Sequence, residues 1–180
     1  MLITISGEHG AGKSVVAKEL ARRLGLRYLS AGEVFRRMAE ERGMDLKEFS
    51  EYAEKHPEID REIDRRLAEV RGEAVVDGRL SGWMVKDADL RVLLTAPLEV
   101  RVRRIAEREG RDLKEVREET LVRERSERKR FKELYGIDID DLSVFDLVIN
   151  TSRLGVEEEV EMLERLVERR RKDGSRKGVR

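Results

Sequence analysis

Cysteine is absent from the 180-residue chain, which excludes disulfides and any thiolate metal site. Net charge is absent too. The 39 lysines and arginines cancel 39 aspartates and glutamates, so bulk charge gives no pull toward nucleic acid or a membrane surface. No apolar run approaches membrane-spanning length, and a strand pattern begins at Leu2, so neither a span nor a signal peptide is expected. Only two prolines occur, no linker divides the chain and no segment repeats. Charge of both signs makes up 43% of the residues, the composition of a hyperthermophile surface laced with ion pairs. At this length the expectation is one α/β domain with a real core, in a soluble, cytoplasmic protein.

One stretch organises the rest. Gly7, Glu8, His9, Gly10, Ala11, Gly12, Lys13 and Ser14 fit G-x-x-x-x-G-K-[ST], the phosphate-binding P-loop. An apolar strand run, Leu2 to Ile5, precedes it, and from Val15 a helical pattern follows as far as Gly25. Glycines let the backbone curl until its N–H groups face an anion, and the helix N-terminus adds positive potential. Lys13 supplies a full charge for the β- and γ-phosphates, and the Ser14 hydroxyl can ligate Mg²⁺. With Val15, these residues form the expected ATP site. His9 occupies a variable position and reads as loop filler.

Downstream, strands are expected near 27–30, 73–77, 91–95 and 146–150, separated by helical patterns. Ser30 to Glu33 caps a helix, and Asp45 caps another carrying Leu46, Phe49, Tyr52 and Ala53. A third helix from Glu58 lines up Ile59, Ile63, Leu67 and Val70. Three helices between two strands exceed what a βαβ unit needs, so 31–72 reads as an inserted helical segment. A helix over 98–109 and a long, largely polar one over 112–134 form a second helical region, 98–135, with the polarity of a mobile lid. The last helix reads as 156–167. The basic stretch 169–180 lacks periodicity and is expected to be disordered, and it is the one feature that points toward nucleic acid. Strands alternating with helices predict a five-stranded parallel sheet between two helical layers, with ligands at the strands' carboxyl ends. The core domain therefore reads as 1–168.

At those ends Asp77 follows an apolar strand, where a P-loop protein places a carboxylate for Mg²⁺, and Arg79 faces the same crevice. Arg101, Arg104 and Arg108 share one helix face, and Arg123, Glu127 and Arg130 another. Guanidinium groups stabilise the charge that spreads over phosphoryl oxygens during transfer.

The P-loop, the Ser30-Ala31-Gly32-Glu33-Val34-Phe35-Arg36 run, Glu58 to Arg66, Asp77-Gly78-Arg79-Leu80-Ser81-Gly82-Trp83, Tyr135-Gly136-Ile137-Asp138 and Asn150-Thr151-Ser152 together resemble nucleoside monophosphate kinases. The pattern is most similar to archaeal-type cytidylate kinases and covers about Met1 to Val167. That resemblance implies the P-loop NTPase fold, with 31–72 as the monophosphate-binding segment and 98–135 as the lid. It implies acceptor binding by Arg36, Asp77, Gly78 and Arg79, and a lid motif carried by Arg123, Glu127 and Arg130, with Glu in place of the family's Asp. Thr151 to Arg153 would lie near the donor adenine. Bacterial relatives carry an Asp where Leu80 stands and a Ser where Ala31 stands. Their contacts to cytosine or ribose must therefore come from elsewhere, with Asp60, Arg61 or Asp64 as candidates.

The expected activity is ATP-dependent phosphorylation of CMP or dCMP with Mg²⁺, through Lys13, Arg79, Arg123 and Arg130, with Ser14 and Asp77 at the metal. The expected protein is a monomer with neither a membrane nor nucleic acid as partner. UMP or AMP acceptors and a kinase-like ATPase acting on RNA or the ribosome are the alternatives. The Asp-Gly-Phe/Tyr-Pro-Arg run usual in adenylate and uridylate kinases is absent, which weighs against AMP. A GTPase would need an Asn-Lys-x-Asp guanine reader, also absent.

Overall fold

Short apolar runs bounded by turn residues become strands because a parallel sheet covered on both faces buries every side chain. The computed structural model describes residues 1–177, with side chains throughout except at 46, 47, 50 and 173–177. The strands are β1 (Leu2–Gly7), β2 (Arg27–Ser30), β3 (Ala74–Asp77), β4 (Leu90–Thr95) and β5 (Leu147–Asn150). They pair in parallel in the order β2-β3-β1-β4-β5. The helices are α1 (Lys13–Leu24), α2 (Ala31–Glu41), α3 (Leu46–Glu54), α4 (Glu58–Ala68), α5 (Ser81–Met84), α6 (Leu98–Glu109), α7 (Leu113–Tyr135) and α8 (Val156–Lys177).

Alternation along the strands splits the core in two. Ile3, Ile5, Val75, Val92, Leu94 and Ile149 pack under α1 and α8, against Val16, Leu20, Val160, Leu163 and Val167. Leu2, Ala74 and Val76 face the other way, onto Val34, Met38, Phe49, Ile59, Ile63 and Leu67 of α2, α3 and α4. The result is a three-layer α/β/α fold, as the strand–helix alternation predicts. Local signals set the helix starts: Ser30 accepts from the Glu33 amide at 3.2 Å, Asp45 and Glu48 form a reciprocal capping box, and Asp112 caps α7. The Leu46 side chain, expected on the α3 stripe, lies outside the described residues.

Two features differ in kind from these layers. Helix α7 buries only Val116, Thr120, Glu127 and Phe131 along its 23 residues, and packs mainly against α6. Its Val116 joins Val102, Ile105 and Ala106 of α6 in a small apolar cluster separate from the two faces of the sheet. Helix α8 continues to Lys177, where the sequence reading stops at Val167 and leaves 169–180 without order. Glu168 to Lys172 are strong helix formers, and basic groups favour a helix C-terminus. Arg170 also ties the extension down, bonding the Asp89 carbonyl and pairing with Asp146 at 3.2 Å. Residues 178–180 lie outside the described residues. Among the described residues no helix is long and apolar enough to cross a membrane.

Candidate active site

Strand register brings the functional ends together. Ile5 pairs with Asp77, Ser30 with Asp77, Gly7 with Leu94 and Thr95 with Asn150, so four strands end beside the turn from β1 into α1. That turn is held through its carbonyls, once from within and three times from other elements. Glu8 O accepts from Lys13 Nζ at 2.9 Å, His9 O from Arg101 at 3.1 Å, Gly10 O from Arg104 at 3.3 Å and Ala11 O from Thr151 Oγ1 at 3.0 Å. Gly10 takes φ +78°, and a Cβ there would stand 2.5 Å from the Arg101 carbonyl, so only glycine fits. With those carbonyls occupied, the loop is left to present amides and a helix N-terminus to an anion. The Glu8 side chain joins the same brace, accepting from Thr95 Oγ1 at 3.0 Å and pairing with Arg101 at 3.4 Å.

Lys13 is drawn down to about 8 by burial, with Arg79 adding to the effect and Asp77 opposing it. Such a lysine is short of counter-charge, as suits one that meets phosphate. Ser14 Oγ donates to Asp77 Oδ2 at 2.6 Å, and the Tyr28 hydroxyl donates to the same oxygen at 2.9 Å. A hydroxyl and a carboxylate converging at the loop's edge form the hard-oxygen pair that Mg²⁺ takes from a protein when phosphate and water complete its shell. The residues present therefore fit a magnesium ion. Burial, helped by the Asp77 charge, pushes the Tyr28 phenol up to about 12, so it remains a donor.

One side chain of α7 bonds both the loop and Arg79. Glu127, 5% exposed, accepts from His9 Nε2 at 2.7 Å and from Arg79 at 3.2 Å, and pairs with Arg123 at 3.3 Å. Burial alone would raise this carboxyl; the His9 hydrogen bond and charge, with Arg79, reverse that and hold it at about 2. Two cavities meet here. One, about 520 Å³, extends from Lys13 and Asp77 to Arg36, Asp60, Asp64 and Phe131. The other, about 220 Å³, lies between the loop, Arg108 and Arg111 on one side and Val116 to Thr120 on the other. His9, Lys13, Ser14 and Arg123 line both.

The model of the cytidylate kinase-like family matches residues 2–153. The chain belongs to that family. A cytidylate kinase of Pyrococcus horikoshii is 52% identical over 155 residues, 85% of this chain and 81% of that protein. One of Archaeoglobus fulgidus is 51% identical over 171 residues, 93% and 95% of the two chains. Among solved structures, shikimate kinase from Bacteroides thetaiotaomicron superposes with a TM-score of 0.61 at 20% identity, over 93% of this chain and 98% of that one. At that identity the likeness concerns the fold alone.

Within this member of the cytidylate kinase-like family, most expected site residues converge. Lys13, Ser14, Arg36, Asp60, Asp77, Gly78, Arg79, Arg123, Glu127 and Arg130 all line the larger cavity, whereas Arg61 is exposed and lines a smaller adjoining one. The Val15 side chain is 57% exposed. Arg101 and Arg104, grouped with Arg108 on sequence as stabilisers of transferring phosphate, are spent on the loop's carbonyls and on Thr151; of the three, Arg108 reaches a cavity. His9 is no filler, since it is the loop's contact to α7. Sequence reasoning also passed over Tyr28 and the Tyr135–Asp64 hydrogen bond of 2.9 Å. Their one signal was a tyrosine at the start of β2 and another at the end of α7, which periodicity assigns to packing.

Proposed function

We propose that this chain transfers the γ-phosphoryl group of ATP to CMP or dCMP, as its cytidylate kinase relatives are named for doing. The observation that carries the reading is the pair of cavities sharing Lys13 and Arg123, one for each nucleotide, with the lysine between them. The larger cavity takes the monophosphate. Its Arg36, Arg79 and Arg130 meet the acceptor phosphate, and α2 to α4, within 31–72, form the acceptor segment. The smaller one takes the donor, beneath a lid spanning 98–135.

The acceptor oxygen is already anionic, so no general base is needed. It attacks the γ-phosphorus in line as the bond to the β–γ bridging oxygen breaks, and the electron pair leaves on ADP. Lys13, Arg79 and Arg123 balance the spreading negative charge. Mg²⁺, held by Ser14 and Asp77, supplies further neutralisation of the donor phosphates when bound. Glu127 keeps Arg79 and Arg123 pointed into the cleft, and the lid excludes water that would otherwise take the phosphoryl group. We read the protein as a cytoplasmic monomer of one domain, which the extension of α8 past residue 168 continues.

The test is ADP release from Mg·ATP with a panel of monophosphates. CMP-dependent ADP is the expected result, lost by orders of magnitude in Arg79→Ala. Absence of acceptor-dependent ADP would sink the proposal.

A further inference from the structure

Residues that could read the acceptor's base lie away from the phosphate end of the larger cavity. Helix α7 serves as a ruler: Glu127 touches His9 of the loop, and Tyr135 stands eight residues further on, about 12 Å along the axis at 1.5 Å per residue. That is the direction in which a nucleoside extends from its phosphate. There the Tyr135 hydroxyl donates to Asp64 Oδ2 at 2.9 Å. Asp64 Oδ1 has no partner among the described residues, and Asp64 lines the cavity beside Ile63 and Phe131. Asp60 and Arg61 are exposed and no hydrogen bond fixes either among the described residues. Asp64 alone of the three is half-buried and oriented.

The chemistry of that end selects one type of base edge. A carboxylate oxygen accepts, and cytosine offers an exocyclic amine where uracil offers a carbonyl. Facing uracil, the same oxygen would meet another acceptor with neither water nor proton between them. The apolar flanks, Ile63 and the 8%-exposed Phe131, suit a flat ring and leave little water to soften the mismatch. Burial, with the neighbouring Asp60 charge, raises the Asp64 carboxyl above its ordinary value, and the Tyr135 hydrogen bond and the Arg130 charge offset only part of that rise.

We propose that Asp64 is the specificity-determining residue of the acceptor site, its Oδ1 accepting the amine of cytosine, and that Tyr135 is its positioning residue. This rests on the kinase reading above. It supplies the polar contact that Ala31 and Leu80 leave open.

The experiment compares wild type, Asp64→Asn and Tyr135→Phe, each with Mg·ATP and either CMP or UMP, reading kcat and KM from ADP release. In D64N the amide can turn a donor toward a carbonyl, so the CMP-over-UMP ratio in kcat/KM falls by roughly 10- to 100-fold. In Y135F the ratio falls about 3- to 10-fold through the KM for CMP, with kcat kept within about two-fold. A D64N enzyme that unfolds like wild type and keeps the wild-type ratio overturns the proposal. If D64N does not fold, Y135F decides alone, and an unchanged ratio there overturns it too. Equal loss of kcat with both acceptors in Y135F reduces Tyr135 to a packing role and overturns the positioning claim. Wild type that turns over no monophosphate refutes the kinase reading and this inference together, whereas selective wild type with indifferent variants refutes the inference alone.

Discussion

Replacing Glu127 by glutamine keeps the shape of the side chain and removes the charge that His9, Arg79 and Arg123 share. The carboxyl is held at about 2 against an ordinary 4.5. At about 1.4 kcal/mol per pH unit, that displacement sets a ceiling of roughly 3.5 kcal/mol on its contribution to folding. Arg123 is 61% exposed, so its share is screened by water, and about 2 kcal/mol is the better expectation. For a chain of this size that is a fall of about 4–8 °C in unfolding temperature at pH 7. The sign of the pH dependence follows from a depressed carboxyl. The stabilisation is complete above the unfolded value near 4.5 and is lost as pH falls toward about 2. Scanning calorimetry of wild type and E127Q from pH 7 to pH 3 should therefore show a gap that is constant down to about pH 5 and less than half as large at pH 3. Equal unfolding temperatures at pH 7, or a gap that persists unchanged at pH 3, would refute the charge argument and leave Glu127 a matter of shape.

Two further outcomes follow from the loop. Lys13 is charged below about 8 in the free enzyme, so kcat/KM for ATP should decline as pH rises through that value, while bound phosphate holds the proton and carries the fall in kcat to higher pH; a kcat/KM profile flat to pH 10 would contradict the burial of this lysine. Gly10→Ala forces a Cβ against the Arg101 carbonyl at φ +78°, which should cost roughly 2–4 kcal/mol and raise the KM for ATP. Unfolding within a degree of wild type would show that the loop is not braced as described.

The sheet, its strand ends and the strand–loop–helix at Gly7 to Ser14 were legible because they are encoded locally: alternation in the strands, caps at Ser30 and Asp45, and a motif of fixed spacing. What was not legible depends on which of many similar charges meets which. Arg101 and Arg123 look alike in a chain with 39 basic residues, yet one is 4% exposed behind the loop and the other 61% exposed over the cleft. Only the packing of α6 and α7 separates them. His9 was misjudged for the same reason, since its partner Glu127 lies 118 residues away. The end of α8 was missed because helix propensity without an apolar stripe resembles a solvated tail.

The phosphate-binding loop is made well before the residues that complete it. Its own residues end at Ser14, but its strand needs Ala74 to Asp77 on one side and Leu90 to Leu94 on the other. Its carbonyls wait for Arg101 and Arg104, and finally for Thr151, 140 residues after Ala11. At about 5–20 residues per second a nascent chain carries the unfinished motif for roughly 7 to 28 seconds. Throughout that time it has the sequence of a nucleotide site without the geometry of one. A chain released early, before β5, would keep every residue of the P-loop motif and still lack Thr151, the anchor of the Ala11 carbonyl. Completion of the loop is thereby tied to synthesis of β5 and Thr151, and any shorter product would carry the motif without that anchor.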